Sequence, residues 1–377
     1  MPKTTSRNLG LDAVRAAAIG LVLLCHATPF YKPILTNHHI DVHSWRVLTG
    51  VTGVELFFCL SGFLIGGILL ELEASTPSGR TVGIFYVRRW MRTLPLYYFV
   101  LFGISDFPQL DPHLRVNFLS FVTLTQNLFG RMPPGDWFAI SWSLTIEEWS
   151  YLLLPLFVFG LFGRTKRPVL SGTLAMCLLA FILRVILLSH TGSWDNIVRT
   201  SVPGRLDAIC YGVLSVVAFR QFRDTYLRWI KRFWWALVAL FLLNLYLFWN
   251  DSLLDGIYGR IFALPVTSLS FAALLPLIMG FQMKGFLAAI IRHLARISYG
   301  MYLFHWPIYF LTIECVADIP HAPLPVFIFG TILVATLVYY LVEQPILRLR
   351  PPQFRRDQGP PMAAVSRPPV ALPARDG

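Results

Sequence analysis

Three polar side chains interrupt the first apolar stretch of the chain, Leu9 to Pro29: Asp12, Arg15 and His26. Ionisable groups within a membrane span are costly, so they face a bundle interior or a wet cavity and mark a functional site. Arg15 and His26 lie eleven residues apart. At about 100° per residue that spacing puts them on one helix face, about 16 Å apart along its axis. The stripe runs from a carboxylate and a guanidinium at one end to an imidazole deeper in, a group that titrates near neutrality and suits proton transfer. The competing account is a signal peptide with Lys3 and Arg7 as its basic start and Cys25-His26-Ala27 as its cleavage site, but signal h-regions do not normally carry an arginine.

A second cluster is Phe85-Tyr86-Val87-Arg88-Arg89-Trp90-Met91-Arg92. Arg89 and Arg92 project from one helix face, three residues apart, and together offer forked donors to an anion such as a phosphate. Positive-inside anchoring against anionic lipid is the plainer reading of the same residues. A third cluster is Trp142-Ser143-Leu144-Thr145-Ile146-Glu147-Glu148-Trp149-Ser150-Tyr151. Glu147 and Glu148 point different ways, so at most one faces a given site, and Glu147 forms a polar ridge with Ser143 or Ser150. The plainer reading is a solvated helix start with acids near its N-terminus.

Further polar positions follow. Arg205 and Asp207 are too close in sequence to pair on one helix, so either bonds another helix. Arg184 reads as a snorkelling residue. Glu55 is a lone carboxylate in an apolar run, and Ser298, Tyr302 and His305 share a helix face. Lone bundle histidines are more often structural than catalytic. His39 and His43 have an i, i+4 spacing without a third ligand, so no metal site is expected. The five cysteines show no paired spacing, which indicates neither a disulfide framework nor a thiolate metal site.

The elements that must carry these groups are membrane helices. The chain is 55% hydrophobic and 14% charged, against about 25% charged in soluble domains, and its mean hydropathy is +0.60. The net charge of +12 sits in short clusters between apolar segments, the pattern of cytoplasmic loops rather than of a nucleic-acid partner. The chain offers ten candidate spans, at about 9–29, 51–71, 93–107, 145–162, 168–189, 204–219, 233–249, 260–281, 297–314 and 324–344, of which the third and seventh are short for a bilayer. Placing every basic cluster on the cytoplasmic side requires an even number of crossings between them, which makes 118–129 a re-entrant or interfacial segment. The expected fold is therefore all-α, a polytopic transmembrane bundle over 1–349, followed by a disordered Pro- and Arg-rich cytoplasmic tail over 350–377. Both termini are expected in the cytoplasm. No internal repeat is evident, which weakens an inverted-repeat transporter.

Taken together, these stretches resemble the acyltransferase-3 family of membrane O-acyltransferases. The resemblance rests on the Arg-x10-His of Arg15 and His26, on Gly53-Val54-Glu55-Leu56-Phe57-Phe58 with Leu60-Ser61-Gly62-Phe63, and on the Arg-x-x-Arg of Arg89 and Arg92. It continues through Trp142-Ser143-Leu144 and Glu147, Arg205 with Asp207, Ser298-Tyr299 to His305-Trp306-Pro307, and Glu343 with Pro345. It covers residues about 9–349 in the family's order. The chain departs from it at Ile140-Ser141, where a histidine is common, and at Ser150, where phenylalanine is usual. It also implies a member without the C-terminal esterase-like extracytoplasmic domain that some carry.

The resemblance implies a bacterial inner-membrane enzyme that transfers an acyl group, expected to be acetyl, from cytosolic acyl-CoA to a hydroxyl of a glycan or glycosylated acceptor. No permanently bound cofactor is expected. Arg15, Arg89 and Arg92 would hold the donor phosphates, and His26 would act as base with Glu147. Asp12, Glu55, Ser143, Glu148, Arg205, Asp207, Ser298 and His305 would support the acceptor or the imidazole. Two other readings stay open: a proton-coupled transporter, and a subunit that moves acyl groups for another enzyme. The acceptor, the acyl chain length and the carboxylate beside His26 are not legible.

Overall fold

The computed structural model describes residues 8–75, 77–105, 114–128, 138–189, 193–250 and 254–352. Among these residues every regular element is helical. In order they are α1 (Leu9–Asn37), α2 (Val42–Ala74), α3 (Gly79–Ser105), α4 (Leu114–Val122), α5 (Ser141–Pro155), α6 (Pro168–Leu187), α7 (Cys210–Gln221), α8 (Arg223–Trp249), α9 (Leu264–Ile278), α10 (Phe286–Val316), α11 (Pro323–Val338) and α12 (Gln344–Arg348). Wide π-helical turns occur at Leu156–Leu161, Asp195–Arg199, Gly259–Ala263 and Tyr339–Glu343.

Seven helical stretches among the described residues are long and apolar enough to cross a membrane: Leu9–Asn37, Val42–Ala74, Ser141–Leu161, Pro168–Leu187, Arg223–Trp249, Gly259–Ile278 and Pro323–Arg348. The sequence reading expects about ten, and the difference has a physical cause at three places. Helices α3 and α10 are long enough, at 27 and 31 residues, but Arg88, Arg89 and Arg92 in α3, and Tyr299, Tyr302, His305, Trp306 and Pro307 in α10, dilute their apolar character. Helix α7 has only 12 residues. That is about 18 Å of helix against a hydrocarbon core of about 30 Å.

The expected re-entrant segment contains the end of α4 and then turns through Leu128. Nine helical residues do not reach across a bilayer. Irregular backbone at membrane depth is tolerated where protein satisfies its polar groups. Asn127 does this, donating from Nδ2 to the carbonyls of Trp142 (3.0 Å) and Thr200 (2.6 Å) and accepting from Val202 N (3.0 Å). Residues 353–377, most of the expected tail, lie outside the described residues.

Helix α2 is the hub, with 78% of its apolar window buried against 11% for α8 and 17% for the α11 stretch. It packs on α1, α7 and α9. The approach to α7 is close because both sides present glycine: a Cβ on Gly62 would lie 1.8 Å from the Ile209 carbonyl oxygen, and one on Gly212 would lie 2.1 Å from that of Cys59. Small residues at helix crossings allow such backbone contact in membrane bundles. Helix α1 starts at an Asn8 cap, whose Oδ1 accepts from Leu11 N while its Nδ2 donates to the Met279 carbonyl just past α9. That anchor fixes the height of the α1 stripe against the bundle.

Candidate active site

Three cavities follow one another along α1. The first, of about 400 Å³, is lined by Arg15, Arg88, Arg89, Arg92, Arg296 and Arg350, with Glu71. The second, of about 130 Å³, shares Arg15, Arg89 and Arg92 with the first and adds Ser61, Ser143, Glu147, Tyr151 and Ser298. The third, of about 300 Å³, meets the second at Val54 and Tyr302 and brings in His26, His43, Arg46, Trp142 and Arg199. The two ends of the polar stripe on α1 therefore open into different cavities. Arg15 belongs to the arginine-rich end, and His26 to the opposite one.

His26 Nδ1 lies 3.0 Å from the carbonyl oxygen of Val22, one turn earlier in α1. A carbonyl only accepts, so this contact puts the proton on Nδ1 and leaves Nε2 as the acceptor of the neutral ring. The ring is thus oriented by its own helix rather than by a carboxylate. His305 on α10 repeats the arrangement, with Nδ1 3.1 Å from the Met301 carbonyl, and its Nε2 is buried without a partner. The two imidazoles meet with centroids 4.9 Å apart, and Trp306 stands edge-on to His26 at 5.5 Å.

Glu147 lies in the middle cavity, apart from His26. Its Oε1 accepts from Ser61 Oγ at 2.7 Å and from Tyr151 OH, which closes a triangle with Ser61. Arg89 stacks over the Tyr151 ring at 5.7 Å. Glu148, on the buried side of α5, has neither carboxylate oxygen hydrogen-bonded and lines none of the three cavities. Ser143 Oγ is 2.6 Å from Tyr302 OH, and both hydroxyls are placed to donate to the Ile140 carbonyl, the tyrosine at 2.9 Å and the serine at 3.5 Å. This pair forms the partition between the middle and outer cavities. Ser298 donates to the Ala295 carbonyl at 3.2 Å and lines the middle cavity.

The remaining carboxylates are engaged elsewhere. Asp12 is 3.6 Å from Arg15. Glu55, on α2, receives Arg205 Nη2 at 2.5 Å on Oε1 and Ser268 Oγ on Oε2. Asp207 receives Arg184 in a two-pronged pair, Nη1 to Oδ1 at 2.8 Å and Nη2 to Oδ2 at 2.7 Å, with Tyr211 OH also bonded to Oδ2. Arg205 and Asp207 thus bond different helices, α2 and α6. The snorkelling reading of Arg184 is corrected: its side chain is only 3% exposed and its guanidinium points inward, because a buried carboxylate satisfies it better than the interface would. Arg92 is also paired, to Glu343 at 2.5 Å, whereas the sequence reading places it with Arg89 on an anion.

Sequence reasoning passes over several residues that the cavities bring in. Arg199 sits over the Trp142 ring at 4.6 Å and bonds Asp195 across the π-helical turn. Arg46 lines the same cavity. Arg46 and Arg199 fall in the linkers 30–50 and 190–203, which the ten-span reading with cytoplasmic basic clusters places outward, so their departure from the positive-inside pattern is the signal in the sequence. Among the described residues no group of three metal-ligating side chains occurs.

A family model described as an acyltransferase domain matches residues 8–343. The chain is similar to the putative peptidoglycan O-acetyltransferase YrhL of Bacillus subtilis, with 25% identity over 368 residues, which is 89% of this chain and 54% of that protein. It is similar to the peptidoglycan O-acetyltransferase OatA of Listeria monocytogenes, with 25% identity over 383 residues, 89% of this chain and 55% of the relative. A third relative, the O-acetyltransferase OatA of Staphylococcus aureus, is 26% identical over 228 residues, 56% of this chain and 35% of its own length. The chain spans about half the length of the first two curated relatives it matches. No solved structure matches it. With the family match running from the cap of α1 to Glu343, the chain belongs to the acyltransferase-3 family.

Proposed function

We propose that this chain transfers an acetyl group from acetyl-CoA, entering at the arginine-rich end, to a hydroxyl of a cell-wall glycan on the far side of the membrane. The observation that carries this reading is the cavity series, which leads from an arginine-rich end to the Ser143–Tyr302 pair, with His26 lining the cavity on its other side. The polar wall of the middle cavity suits a pantetheine arm, whose amides need partners that Ser61, Glu147 and Tyr151 can offer. The positive-inside rule supports a cytosolic arginine-rich end. Similarity to two relatives named as peptidoglycan O-acetyltransferases supports peptidoglycan as the acceptor.

In this reaction His26 Nε2 takes the proton of the acceptor hydroxyl as its oxygen attacks the thioester carbonyl. The intermediate collapses with cleavage of the C–S bond, and the departing thiolate takes the proton from the imidazolium. Free CoA thiol and an acetyl ester result. A hydroxyl is a weak nucleophile at neutral pH, which is why the base is needed. Arg15, Arg89 and Arg92 hold donor phosphates. Glu147 orders the channel wall, while Asp12, Glu55, Arg205 and Asp207 fix the helices.

The test is to incubate the purified protein with radiolabelled acetyl-CoA and soluble peptidoglycan fragments. The reading expects label on the glycan with the native protein and none with His26→Ala folded to the same extent. Label remaining with His26→Ala removes the histidine from the chemistry, and no labelled glycan with the native protein removes the reading.

A further inference from the structure

The arginine-rich cavity holds more positive charge than its carboxylates balance. Among the described residues six guanidiniums line it, from Arg15, Arg88, Arg89, Arg92, Arg296 and Arg350, and Glu71, itself 3.6 Å from Arg220, is the one acid beside them. Asp12 and Glu343 reach Arg15 and Arg92 from outside the lining. With Arg220 counted beside Glu71, seven guanidiniums face three carboxylates among the described residues, which leaves an excess of four charges in and around a partly enclosed space and calls for a polyanion. Arg350 is the least satisfied of the set. Its Nε and Nη2 are buried without hydrogen-bond partners. Burial and then the like charges of Arg92, Arg88 and Arg89 push its guanidinium down to about 10, against a smaller opposing pull from Glu343. The chain itself holds the residue there, because Arg88 Nη1 donates to the Pro351 carbonyl, one residue beyond.

We propose that Arg350, placed by Arg88, binds a phosphomonoester separate from the diphosphate held by Arg89 and Arg92, so that the cavity recognises a 3′-phosphorylated adenosine diphosphate. This rests on the acyl-CoA reading, since that donor carries both groups. It adds a selectivity that Arg89 and Arg92 do not give: discrimination against donors that lack the second phosphate. An unpartnered buried guanidinium gains a charge-assisted, forked interaction when a phosphate enters.

The test compares binding of 3′-phosphoadenosine 5′-diphosphate and of adenosine 5′-diphosphate to the full chain in neutral-lipid nanodiscs. It also compares KM for acetyl-CoA and 3′-dephospho-acetyl-CoA. The native protein should favour the 3′-phosphate forms by about tenfold or more, the scale of one charged hydrogen bond. Arg350→Ala should remove that preference while leaving affinity for the dephospho forms unchanged, and Arg350→Lys should restore part of it. Equal affinity for both nucleotides in the native protein, or an equal loss for both in Arg350→Ala, overturns the proposal. A preference that disappears when phosphatidylglycerol is added assigns the site to a lipid headgroup and overturns it as well. Selective binding without acetyl transfer would leave this site standing and sink the proposed reaction. Transfer with no 3′-phosphate preference would do the reverse.

Discussion

The imidazoles of His26 and His305 face each other at 4.9 Å, each fixed by an Nδ1–H bond to the carbonyl one turn before it. Two rings on α1 and α10 therefore share one tautomer and one buried contact. His26 lines the outer cavity, whereas His305 is fully buried and lines none of the three. Their roles should separate accordingly. His26→Ala should lower kcat for acetyl transfer by at least about 100-fold, the lower end for a lost general base. His305→Asn should lower it by about tenfold or less, through loss of packing on the His26 ring. Steady-state kinetics on the two variants checks the order, and a larger loss at His305 would reverse the assignment.

The pair of Arg205 with Glu55 predicts a stability effect independent of activity. Glu55→Ala leaves a buried guanidinium and Ser268 without their partner, and removing one member of a buried pair costs about 3–5 kcal/mol. Replacing both, as Glu55→Met with Arg205→Met, should recover most of that loss. Thermal unfolding in detergent measures it. A double variant as unstable as Glu55→Ala alone would show that the polar pair is not what sets the cost.

Helix contact at Gly62 gives a second structural prediction. Gly62→Ala sets a methyl carbon 1.8 Å from the Ile209 carbonyl oxygen, so α2 and α7 must part. The variant should express poorly or unfold well below the native protein. Gly103→Ala, where nothing lies within 4 Å, should behave as native. Both are read by size-exclusion yield and melting temperature, and equal behaviour would contradict the close packing.

Tyr302 divides the middle from the outer cavity, with Ser143 holding its hydroxyl. Tyr302→Ala should join the two cavities and admit water to the thioester. Acetyl-CoA hydrolysis without acceptor should then rise relative to transfer, as measured by free thiol release. Unchanged hydrolysis would show that the ring is not a barrier.

Much of the site on α1 and α3 is legible in the sequence, because a single helix converts spacing into direction: Arg15 and His26 need no other helix to be placed. What the sequence conceals depends on crossings between distant segments. Nothing in the local pattern brings His305 to His26, sends Glu147 to Ser61, or pairs Arg184 with Asp207. Arg92 reads as an anion clamp from its spacing to Arg89, and only the π-helical turn that delivers Glu343 shows its partner. Arg350 falls at the edge of a stretch whose Pro-rich composition reads as tail, so its contact with the cavity has no signature in the sequence. Of the long helices absent from the membrane-length set, α3 and α10 have polar residues facing the cavities, so in these two the features that weaken the hydropathy signal are those that build the site.

The central claim is that the arginine cluster and His26 serve opposite ends of one donor. The most direct measurement is photocrosslinking with a CoA thioester that carries a diazirine on its acyl chain, mapped by mass spectrometry. The account predicts labelling around the outer cavity, at residues such as Val22, Val54 and Tyr302, abolished by excess CoA and by Arg89→Ala with Arg92→Ala. Labelling confined to the arginine-rich end, or spread over the lipid-facing surface of α8 and insensitive to CoA, would contradict it.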